Sequence, residues 1–61
     1  MKQKLWCCVD YHTGKPNYYS QSLHHRKNDS IETVRHYFVD WETAERLGWK
    51  CIRVEVEIKP I

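Results

Sequence analysis

The sequence predicts a single small α+β domain over residues 1–61: an antiparallel sheet of three to four strands with one face covered by a short helix. Two alternating runs and one capped helical segment predict it. Lys50 to Ile58 places Ile52, Val54, Val56 and Ile58 on one side of an extended chain, and Cys51, Arg53, Glu55 and Glu57 on the other. That period of two belongs to a half-buried strand, because successive side chains point to opposite faces. Leu5 to His12 repeats the pattern, with Leu5, Cys7, Val9 and Tyr11 opposite Trp6, Cys8, Asp10 and His12. The two apolar faces can close on one another, which leaves Trp6 on an outer face.

Thr13 to Asn17 reads as a turn. Gly14 supplies permissive dihedrals, Pro16 fixes φ, and Asn17 tolerates the left-handed region. Tyr18 to Arg26 is then the returning strand of a hairpin. Its polarity suits an edge or a projecting arm. Lys27 to Ser30 breaks the chain again. Ile31 to Val39 has two readings. Its β-branched and aromatic residues favour a third strand, giving β-β-β-α-β. Asp29 followed by Glu32 also forms a capping box, giving β-β-α-β; the strand is preferred.

Asp40 to Gly48 is a short helix under both readings. Asp40 caps it, Glu42 sits in the first turn, Arg46 lies in the last turn, and Gly48 ends it in the left-handed region. Trp41, Ala44 and Leu47 recur every third residue and are expected to roof the Ile52–Val54–Val56 face. Pro60 closes the last strand, because proline donates no ladder hydrogen bond.

A chain of 61 residues buries only about 60% of its unfolded surface, so its core is thin and a partner or a second copy would help it. At 41% hydrophobic it is not disordered. No apolar run approaches the ~20 residues of a membrane span, so a cytoplasmic protein with no membrane partner is expected. Three cysteines make no disulfide framework. Cys7 and Cys8 read as small hydrophobes, one inward and one outward, and Cys51 as a thiol on the polar side.

Chemistry is hard to place. Cys7-Cys8 and His24-His25 are adjacent rather than spaced to converge on zinc, so no metal and no cofactor is expected. Neither glycine belongs to a phosphate-binding loop, and no group orients a cysteine–histidine pair. The sequence therefore points to a non-enzymatic chain with no small-molecule substrate. Binding remains. Residues 1–27 carry Lys2, Lys4, Lys15, Arg26 and Lys27 against Asp10 alone, a balance of +4 within a net charge of +2. Eight aromatics exceed what so small a core needs, and tyrosine, tryptophan and arginine anchor interfaces. The candidate binding residues are Trp6, Lys15, Tyr18, Tyr19, His24, His25, Arg26, Lys27 and Trp49. The expected function is a regulatory module that binds a protein partner or itself as a homodimer. The alternative is nucleic-acid binding through the basic aromatic hairpin 15–27, where cations hold phosphates and aromatics stack on bases.

Overall fold

β1 (Lys2–Asp10) and β3 (Trp49–Glu57) pair antiparallel along their whole length in the computed structural model, which describes residues 1–61. Leu5 lies opposite Val54, Cys7 opposite Ile52, and Cys8 opposite Cys51. On its other edge β1 meets the two-residue β2 (Asn17–Tyr18), so the sheet order is β2-β1-β3. β1 is central and β3 is an edge. The fold is the expected α+β class, in its three-stranded β-β-α-β form with two helices, α1 (Lys27–Arg35) and α2 (Trp41–Arg46).

The preferred third strand at 31–39 is therefore incorrect. Ser30 and Val34 are buried four residues apart, the spacing of one helical face. Asp29 lies in the first turn and Arg35 in the last, and the Arg35 Nε to Glu32 Oε1 contact of 2.9 Å closes one turn of the surface. β-branched residues tolerate this helix because tertiary packing outweighs their propensity. The capping box does not form either: α1 begins two residues before Asp29, and Arg26 precedes it with no side-chain cap.

The expected strand at 18–26 also breaks up. Pairing stops after Tyr18, Ser20–Ser22 turns as a short 3₁₀ helix, and pairing resumes only at His24. Trp6 N–H donates to His24 O at 2.7 Å and His24 N–H donates back to Trp6 O at 3.1 Å. Between these bonds the Ser22 hydroxyl accepts from Cys8 N–H at 2.8 Å. The turn thus bulges out while a side chain replaces the missing ladder bond.

α1 lies on the face of the sheet that was expected to meet solvent. The Cys8 thiol donates to Ser30 O at 3.4 Å, and the Cys51 thiol to Ser30 Oγ at 3.6 Å. Leu5, Cys7 and Val9, on the other face, are buried as well. Both faces of β1 are covered, so Cys7 and Cys8 both point inward, contrary to the expected split. The helix roof is corrected too. Ala44 is fully buried, but Leu47 is 54% exposed, and α2 packs on β3 and α1 without reaching β1. Asp40 does cap α2, its Oδ1 accepting from Thr43 N–H at 2.8 Å.

Two glycines carry positive φ. Gly14, at +85°, sits in the β1–β2 turn with open space around it. Gly48, at +108°, presses against β1's continuation: its carbonyl accepts from Tyr11 N–H, and a Cβ there would lie 2.8 Å from His12 N. Gly14→Ala should cost about 1 kcal/mol of left-handed strain, whereas Gly48→Ala adds a backbone collision and should cost clearly more. Urea unfolding of the two variants measures the difference. Equal losses would show that the turn between α2 and β3 is not closely packed against His12.

Candidate functional site

The expected binding residues divide into three places. The first lies where β1, the start of α1 and β3 meet. Trp6 is half-buried, with Lys27 Nζ and Arg53 Cζ each 5.3 Å from its ring centroid. His24 is its paired neighbour on the adjoining segment. Cations at this distance are attracted to the ring's quadrupole. Trp6, His24 and Lys27 are thus brought together, with Arg53 added from β3. His25 and Arg26 are exposed beside them. Trp6, expected on an open outer face, is instead partly covered.

The second place is an aromatic cluster. The Trp49 ring stands edge-on to Tyr19 at 6.4 Å and to Phe38 at 6.2 Å. With Val34 and Tyr37 these line a depression of about 240 Å³. The Tyr37 hydroxyl beside Tyr19 raises the Tyr19 phenol above its ordinary value, and partial burial adds to this. Tyr19 donates to Gln21 Oε1 at 2.7 Å. Tyr19 and Trp49 are therefore wall residues rather than free stacking platforms.

The third place is on the opposite face. Tyr18, 57% exposed, and Leu23 hang over a groove of about 450 Å³ floored by Cys7, Val54 and Val56. Treating Val54 and Val56 as the sealed floor of the core hides this groove from sequence reasoning. The polar second segment was the available signal, because a strand so poor in apolar residues cannot cover an apolar floor. Lys15 stays apart from all three. It sits in the turn beyond Asp10, and four residues of strand, about 13 Å, separate that end of β1 from Trp6. The hairpin 15–27 is not one continuous ribbon surface.

The cysteines form a buried polar cluster rather than a reactive one. Burial pushes the Cys8 thiol up to about 11 from 9.0; the Ser30 hydrogen bond opposes the rise and neighbouring Cys51 adds to it. A neutral thiol is the poor nucleophile of the pair of forms. A raised thiol pKa favours the folded state while the thiol stays protonated. That contribution is complete below about pH 9 and is lost as pH rises toward about 11. The thermal midpoint should fall over that window, and Cys8→Ala should fall less steeply. Identical pH profiles for the two proteins would remove Cys8 from the account.

No group of three or more histidine, cysteine or acidic side chains converges to hold a metal ion, and no helix is long and apolar enough to cross a membrane. No family model, no curated protein and no solved structure matches this chain.

Proposed function

We propose that this chain is a non-enzymatic binding module that acts through protein–protein contacts, with a second copy of itself among its partners. The observation that carries this reading is the incompletely covered sheet. Only eight of 61 residues are buried, and Ile52, Val54 and Val56 remain half-exposed, the two valines flooring an open groove. Apolar surface left open in this way favours association, because burying it removes it from water. Tyr18 at the groove's rim is a residue type that anchors interfaces.

A second reading, nucleic-acid binding, draws on Trp6, His24, Lys27 and Arg53. Their convergence gives positive charge beside an aromatic ring. The same contacts weigh against it, since a ring already engaged by two cations is less free to stack on a base. Glu55 also lies close by on β3, where it would repel phosphate.

A pull-down from the source cell, with and without nuclease, separates the two. Capture of protein that survives nuclease is expected. Capture lost with nuclease, together with a gel shift that fades steeply as salt rises, would transfer the function to nucleic acid. A chain that sediments as a strict monomer and captures nothing would defeat the protein-binding reading.

A further inference from the structure

The open edge of β3 has a definite polarity. Ile58 N–H donates to Met1 O, and Tyr11 N–H donates to Gly48 O. Backbone groups alternate direction along an antiparallel ladder. Even-numbered residues of β3 therefore bond to β1, while Cys51, Arg53, Glu55 and Glu57 aim their N–H and C=O groups outward. β3 pairs with no other strand. An exposed edge of this kind templates another strand unless something blocks it.

The side chains select which strand. A copy of β3 laid antiparallel along this edge must set odd residues against odd, because only those carry free backbone groups. With Val54 opposite its own copy, Arg53 faces Glu55 of the second chain and Glu55 faces its Arg53. Two opposite-charge pairs form, and no like charges meet. Ile52 then falls beside Val56 of the copy on the apolar face. Shifting one allowed step places Arg53 against Arg53; the opposite step places Glu55 against Glu55. Directly opposed like charges destabilise a sheet, and opposite charges stabilise it. Of the registers that set Arg53 and Glu55 against charged residues of the copy, the one centred on Val54 alone makes both pairs opposite in sign.

We infer that two copies of this chain associate through their β3 edges, antiparallel and centred on Val54, to form one continuous six-stranded sheet. This rests on the self-association reading above and specifies its surface. The two-fold axis runs normal to the sheet, so both grooves open on the same side and the half-exposed valines meet at the axis. Each charged side chain has one exposed contact within its own chain. The Lys2–Glu55 contact is 3.5 Å between groups more than half exposed, which contributes little. The Arg53 guanidinium is exposed, 5.3 Å from the Trp6 ring centroid, and pairing with the copy's Glu55 turns that head from the ring toward the edge.

The test uses two charge reversals in the full chain, each verified as folded by circular dichroism. Sedimentation is followed from about 10 μM to about 1 mM, the range suited to a junction at the small end of specific interfaces. Arg53→Glu alone and Glu55→Arg alone should each weaken self-association roughly tenfold or more, since both pairs turn repulsive. An equimolar mixture of the two variants should associate again, because every facing pair is then opposite in sign. The unmodified chain offers a second readout. Amide protons of Arg53 and Glu55 should gain protection from exchange as concentration rises, while those of Val54 and Val56, bonded to β1, should not change. Association untouched by either reversal, or a mixture that stays monomeric, would overturn the β3 junction and leave the broader reading standing. A monomer at every concentration that still captures a protein partner would do the same. A monomer that captures nothing would end both.

Discussion

The close approach of α1 to the ladder at Ser30 is the contact on which the remaining structure depends. A serine faces two directly opposed cysteines, Cys8 and Cys51, and bonds to both thiols. Three small side chains let the helix backbone come near the strands, and a larger residue at any of them would force it outward. Once α1 is seated there, Val34 reaches the aromatic wall of Tyr19, Phe38 and Trp49, and Lys27 reaches Trp6. Ser22 plays the matching part on the other edge of β1. No buried side-chain polar atom lacks a partner, so this small core gains direction from hydrogen bonds as well as area from apolar groups.

Covering the Cys8–Cys51 face has a consequence for the other one. A chain this short has two helices, and neither closes over Val54 and Val56. The segment 18–23 covers part of that face with Tyr18 and Leu23, and the groove is what it leaves. The same economy leaves β3 with one paired edge and one open edge. The incomplete apolar face and the unpaired strand lie side by side on the same element, which is why both bear on association.

The two long strands and α2 were legible because each carries a strong local pattern. Period-two alternation marked β1 and β3 to within a few residues, and Asp40 and Gly48 marked the ends of α2. What could not be read was which face of the sheet the helix would choose. Isoleucine and valine argue for one face by hydrophobicity; Cys8, Cys51 and Ser30 take the other by size, and size matching between distant residues leaves no local pattern. The strand preference for 31–39 failed for the same reason. Its propensity is local, whereas the burial that overrides it is not: Ser30 is buried against Cys8 and Cys51, and Val34 against the wall of Tyr19, Phe38 and Trp49. At the candidate site, Trp6, His24 and Lys27 were recognisable by type and do converge. Lys15 does not, because the break at Ser20–Ser22 divides the arm that composition suggested was continuous.

The pairing of β1 with β3 also sets the order in which this chain can form. Its longest ladder runs from the Lys2–Glu57 pair to the Asp10–Trp49 pair, so even the end nearest in sequence must close the whole segment carrying β2, α1 and α2 before the first of those bonds is made. Loop closure of that kind precedes its reward. Nothing formed earlier is self-sufficient: α1 is nine residues long, below the length at which isolated helices persist, and β2 offers β1 only two paired residues. On a ribosome, β1 would emerge with both faces and both edges unsatisfied and stay so until β3 followed it out. Folding therefore waits on β3, and until that strand is made β1 lacks the partner of its longer ladder.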